Sequence, residues 1–267
     1  MINSRPRYRH SFRMVFPFLR ALLGRPASLS RTCALMMQDA PVPPRILNAH
    51  HIPSTGDFIL VMNHYDRPGL GAWWIGALAV TAIAQRRTDP REIRGVMARE
   101  WWYPKGWRRR IKQPLTRWAF GQLAKTYGIL TLPPVIEEYK GTGAIAVRRV
   151  LALTRGETPQ LVGMAPEGRT GENLALCNPP EGAGLFLLLL SHNKIPFLPA
   201  GGFEDDENRL TVNFGAPFML DVPNTLPRAE RDREAAKQVM VQIGKLLPER
   251  MWGVYREEIE RALKEKS

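Results

Sequence analysis

The sequence predicts an α/β fold: a mostly parallel mixed sheet covered by helices on both faces, with an N-terminal amphipathic helical segment. Three observations lead there. A chain of 267 residues, 44% hydrophobic and 24% charged, is globular in composition and long enough to bury one large core. Short apolar runs of strand length alternate with helical stretches, the order that builds a parallel sheet. Two of those runs end directly in polar clusters, where an open α/β sheet carries its chemistry.

The elements follow in order. Phe12, Val15, Phe16, Leu19, Leu22 and Leu23 recur at helical spacing, giving an amphipathic helix suited equally to lying on a bilayer or to packing on the domain. Pro17 interrupts the apolar run and no clean small-residue cleavage site follows, so no signal peptide is read. A Pro-rich connector over residues 40–53 leads into residues 57–62 (DFILVM), a buried strand. Residues 69–84 are sixteen positions without charge, short of the roughly 18–20 apolar residues that span a bilayer, and read as a buried or interfacial helix. Further strands are expected at 95–98, 128–132, 160–164, 195–200 and 210–214. Helices are expected at 114–127, at 142–155 with Gly156 as C-cap, and at 181–193, 228–247 and 255–264. The chain thus divides into a basic membrane-associating segment with its connector, 1–52, and an α/β domain, 53–267.

Charge narrows the partners. Lys and Arg number 38 against 25 Asp and Glu, a net of +13. Residues 1–31 hold seven arginines and no acid (+7), and residues 86–117 hold eleven basic and three acidic residues (+8). From residue 204 onward thirteen acids face eleven bases (−2), so the excess lies in the front half. Both basic segments interleave cations with large apolar groups, and the second carries Trp101, Trp102, Trp107 and Trp118. Rings that sink while cations stay near phosphates suit a lipid headgroup layer. An anionic membrane surface is therefore the expected partner, and no nucleic acid, which would draw on the charge alone. Cys33 and Cys177 are far apart and form no C-x-x-C pattern, which points away from a disulfide framework or a cysteine zinc site.

The first polar cluster is Asn63-His64-Tyr65-Asp66-Arg67-Pro68. A neutral imidazole at a strand end can take a proton from a hydroxyl near pH 7, and a nearby carboxylate such as Asp66 would fix its tautomer. The same residues could instead cap the helix that follows. The second cluster, Ala165-Pro166-Glu167-Gly168-Arg169-Thr170-Gly171, combines glycine, backbone N–H groups and an arginine, an arrangement suited to a phosphate. A tight turn with a surface ion pair fits it equally.

Together and in this order, these segments resemble the glycerophospholipid acyltransferases of the lysophosphatidate (PlsC) type. Asn63-His64 matches the family's N-H-x4-D block, Pro166 to Thr170 its F-P-E-G-T-R-S block, and residues 195–199 (IPFLP) its apolar strand with a proline pair. Residues 210–217 and 246–255 resemble the segments that follow. The resemblance implies transfer of an acyl group from acyl-CoA or acyl-ACP, as co-substrate, to the free hydroxyl of a lysophospholipid, with no bound cofactor or metal. It implies catalysis by His64, the general base, with Asp66, and binding of the acceptor's phosphate and glycerol by Glu167, Gly168, Arg169 and Thr170. It also implies a peripheral or monotopic position on the cytoplasmic face of the membrane. Three departures stand out: the family aspartate five residues after the histidine is here Gly69, the mid-chain arginine is absent from YGILTLPP (127–134), and arginine and threonine are exchanged in the third block. They leave open a non-catalytic lipid-binding protein on the same fold.

Overall fold

The sheet is built around β2 (Ile59–Met62), whose four apolar residues are buried on both faces. In the computed structural model, which describes residues 5–133, 144–155, 160–191 and 194–265, β2 lies between β5 (Leu161–Met164) and β6 (Phe197–Glu204), parallel to both. Among the described residues seven strands form one sheet, completed by β1 (Arg45–Leu47), β3 (Ile93–Ala98), β4 (Leu130–Leu132) and β7 (Leu210–Phe214) in the order β1-β7-β6-β2-β5-β3-β4. The β6–β7 pair is antiparallel and the other recorded strand pairs are parallel. The fold is therefore mixed and mostly parallel α/β, as the alternation of runs predicts.

Helices cover both faces, and two glycines in β6 show how closely. A side chain at Gly201 would meet Leu246, just past α7 (Arg228–Gly244), whereas one at Gly202 would meet Ile75 of α3 (Trp73–Arg86). Consecutive strand residues point to opposite faces, so α3 and the end of α7 lie on opposite sides of the sheet. α2 (Leu29–Met37) packs on α3, α6 (Ala183–Ser191) packs on α7, and α8 (Arg256–Lys264) follows behind α7. α5 (Ala144–Arg155) lies against β4 and β5, and α4 (Gln113–Tyr127) carries α1 (Val15–Leu22) on its flank.

The departures from the expected elements have local causes. The 1–52 segment is not wholly apart from the domain, since its residues 45–47 form edge strand β1 and its α2 buries Cys33, Met36 and Met37. The three-residue edge strand is only partly buried and has no apolar run to announce it. β6 runs on to Glu204, past the expected end at residue 200, because the packed helices leave no room for side chains where Gly201 and Gly202 sit. The helix expected from residue 69 begins at Trp73, after a tight turn at 67–70. Residues 142–143 and Gly156, the expected start and C-cap of α5, lie outside the described residues.

Candidate active site

Strand register brings the two polar clusters together. Val61 of β2 pairs with Met164 of β5, so three residues further on His64 and Glu167 emerge level at the carboxyl edge of adjacent parallel strands. Asn63 keeps the chain anchored as it leaves the sheet: its side chain accepts from Gly202 N–H at 2.7 Å and donates to Gly202 C=O at 2.9 Å. These bonds hold β2 to β6 while the backbone at His64 is released to a new partner.

That partner is Glu167. Its carboxylate is 3% exposed and accepts two backbone N–H bonds, from His64 at 2.9 Å on Oε2 and from Cys177 at 2.7 Å on Oε1. Burial pushes its pKa up from 4.5 to about 7, against the two N–H donors and the Arg169 charge, which favour the ionised form. Gly168 closes the turn in front of it with φ +64°, and its N–H donates to Ala165 C=O at 3.1 Å. The Gly168 N–H, expected at a phosphate, donates here within the turn, and both Glu167 oxygens accept backbone N–H groups. Of the four residues expected at the phosphate, Arg169 is the one whose side chain is exposed and makes no hydrogen bond or ion pair among the described residues.

Asp66 reaches His64 despite lying only two residues away. Asp66 Oδ1 is 3.5 Å from His64 Nδ1, and the Thr170 hydroxyl stands between them. Thr170 Oγ1 lies 3.0 Å from His64 Nδ1, accepts from Asp66 N–H at 3.0 Å, and donates to Asp66 Oδ1. Gly69, where the resemblance would put the aspartate, is a position at which a side chain would be strained. It sits at φ +87° in the turn that returns Leu70 to Arg67, and a side chain there would come within 3.1 Å of Arg7. Burial of the imidazole lowers the His64 pKa from its ordinary 6.5, and Asp66 offsets part of the shift. The ring is therefore neutral, and able to accept a proton, at pH 7.

A cleft of about 620 Å³ opens beside these groups, lined by Asp66, Arg67, Pro68, Thr170, Gly171, Asn173 and Leu174. His64 is not part of its wall but is bonded to Thr170, which is. Its floor is braced from beneath: Arg67 pairs with buried Glu204, which also accepts from Tyr65 at 3.1 Å, and Arg67 donates to Pro6 C=O at 2.9 Å. Tyr8 N–H donates to Gly69 C=O at 2.7 Å, so residues 6–8 are strapped over the histidine loop. Arg67, Glu204 and the strap escape a reading of the sequence, because their partners are 61 to 139 residues away.

No family model matches the chain, and no curated protein matches it. Among solved structures it is similar to the 1-acyl-sn-glycerophosphate (LPA) acyltransferase PlsC from Thermotoga maritima, at 12% identity and a TM-score of 0.44, over 79% of this chain and 75% of that one.

Two further features surround the cleft. β4, where the mid-chain arginine is missing, brings no cation, but Gly95 of β3 pairs with Gly163 of β5. Arg99, four residues past that pair, thus comes level with Glu167, and its guanidinium is ion-paired with Glu100. On the flank, α1 lies on α4 with Phe12 88% exposed and Phe16, Leu19 and Leu23 also exposed. Trp107, Ile111, Leu115 and Trp118 line an exposed ridge leading into α4, with Arg108 and Lys112 over the Trp107 ring. The N-terminal stripe therefore faces outward and is not packed away. Among the described residues no helix is long and apolar enough to cross a membrane, and no three His, Cys, Asp or Glu side chains gather to hold a metal ion.

The raised Glu167 pKa has a testable consequence. The folded protein holds this proton more tightly than the unfolded chain, so its contribution to stability is full below about pH 4.5. It falls by at most about 3 kcal/mol as pH rises to about 7. A carbon-13 NMR titration should place the Glu167 midpoint near 7; a midpoint in the ordinary carboxylate range would contradict the described burial.

Proposed function

We propose that the protein transfers a fatty acyl group from an acyl-CoA or acyl-ACP thioester to the free hydroxyl of a lysophospholipid at a membrane surface, with His64 as general base. The observation that carries this reading is the bonding of His64 to both Glu167 and Thr170, which joins the first and third blocks of the acyltransferase resemblance into one site. A serine-nucleophile reading has no support, since the chain carries no G-x-S-x-G elbow.

In the proposed reaction His64 takes the proton from the acceptor hydroxyl as its oxygen attacks the thioester carbonyl. A C–O bond forms, the carbonyl becomes a tetrahedral oxyanion, and collapse breaks the C–S bond. The thiolate leaves and receives the proton from His64, giving the acylated phospholipid and a free thiol with no acyl-enzyme. Arg169 holds the acceptor phosphate as a charge-assisted donor. Glu167 acts through the backbone of His64 and Cys177 and touches no substrate. Asp66 stabilises the imidazolium that forms.

The exposed apolar residues of α1 and of the ridge into α4, set among arginines, seat the cleft against anionic lipid. This reading places the protein peripherally on the cytoplasmic face.

Two experiments test it. Purified protein on mixed anionic vesicles, offered labelled acyl-CoA and acyl-ACP against a panel of lysophospholipids, should form product, and His64→Ala should reduce it by about a thousandfold or more while folding and vesicle binding persist. Near wild-type turnover in the variant would refute the base assignment, and vesicle binding without product from any pair would point to a non-catalytic lipid binder. Separately, replacing Trp107, Ile111 and Trp118 together by alanine should weaken partition onto anionic vesicles by about tenfold or more with Tm little changed. Unchanged partition would remove this ridge from the membrane contact.

A further inference from the structure

We propose that Thr170 is a positioning residue that fixes the tautomer of His64, holding the proton on Nδ1 and leaving the lone pair on Nε2. The inference rests on the reading of His64 as base, but concerns a residue that the resemblance assigns to the substrate.

The argument is a count of one hydroxyl's bonding capacity. A threonine hydroxyl has one proton to donate and two lone pairs to accept with. Around Thr170 Oγ1 stand four groups: Asp66 Oδ1, His64 C=O at 3.3 Å, Asp66 N–H at 3.0 Å and His64 Nδ1 at 3.0 Å. The first two are acceptors when Asp66 is ionised, and the charged carboxylate is the strongest competitor for the single proton. The Asp66 N–H is a donor and fills one lone pair. The remaining lone pair faces His64 Nδ1, and a hydrogen bond there exists only if Nδ1 carries the hydrogen.

The opposite tautomer is disfavoured twice. With the proton on Nε2, the Nδ1 lone pair would face an oxygen lone pair at 3.0 Å unless it took the hydroxyl proton from the Asp66 carboxylate, and it would face that carboxylate oxygen at 3.5 Å in either case. The His64 side chain is only 28% exposed, which strengthens its contact with Thr170, whereas the Asp66 carboxylate at 47% is more screened. Asp66 alone, at 3.5 Å from Nδ1, is beyond good hydrogen-bond range. Thr170 closes the gap, so the carboxylate acts on the ring directly through charge and through the hydroxyl. The exchange of arginine and threonine in the third block is what delivers a short hydroxyl side chain to this point.

The test reads the tautomer directly. Nitrogen-15 histidine NMR on the whole protein at neutral pH, with the His64 signals assigned by their loss in His64→Gln, should show the hydrogen on Nδ1. Thr170→Val should lose that preference and Thr170→Ser should keep it. In the acyl-transfer assay Thr170→Val should lower kcat by about 10–100-fold with KM little changed, and Thr170→Ser should restore most of the rate. A wild-type His64 protonated on Nε2 overturns the proposal even if no variant folds. So does a Thr170→Val protein whose tautomer is unchanged but whose KM rises, which would make Thr170 a substrate contact. Retained turnover in His64→Ala, with the tautomer still following residue 170, would instead remove the base reading and leave the positioning role standing.

Discussion

Glu167 carries the backbone N–H groups of His64 and Cys177 on one carboxylate buried between two strand-end loops, and the geometry of the site follows from that arrangement. The loop after β2 and the loop after β5 share no backbone ladder once the strands end. Without a common acceptor each would satisfy its own N–H groups separately, and the Thr170 hydroxyl alone would join the two loops at this level. A buried acceptor whose loss leaves two N–H groups unpaired is costly to remove. The same burial that makes Glu167 a firm anchor also raises its pKa, so firmness and proton affinity have one cause.

Around that anchor the site is assembled in layers with different tasks. Asn63 completes the sheet to β6 and lets the chain turn out at His64. The 67–70 turn, fixed by Gly69 and by the Arg67–Glu204 pair, returns the chain toward α3 and carries Asp66 to the imidazole. The N-terminal strap locks onto the same turn through Pro6 and Tyr8, so the segment that leads into the outward-facing α1 is bonded directly to the loop that bears the histidine. The proposed membrane contact and the candidate site therefore share a stretch of backbone.

Much of this could be read from the sequence, and what could not has a physical reason. His64 and Glu167 stood out because each follows a run buried on both faces, and a parallel register places such ends side by side. The sequence also showed the apolar stripe of α1 and the tryptophan-rich basic segment, whose spacing and charge are local properties, but not which way the stripe faces. Asp66 was readable as the carboxylate nearest the ring, but its route to the imidazole was not, because it runs through Thr170, 104 residues away. Nor was the commitment of Glu167 and Gly168 to backbone bonds, since an E-G-R sequence looks the same whether its groups face a ligand or each other. β1 and the far end of β6 were missed because one is a short half-exposed edge and the other carries glycines that only close helix packing requires.

The central claim is that a neutral, desolvated His64, tuned by Asp66, takes the proton in acyl transfer. The pH dependence of kcat/KM tests it most directly, compared between the wild-type protein and Asp66→Asn. A base must be unprotonated, so the rate should fall on the acid side with a midpoint below 6.5. Loss of the Asp66 charge removes what holds that pKa up, and the limb should move to still lower pH. A rate independent of pH in this range, or a limb that moves upward in the variant, would contradict the account.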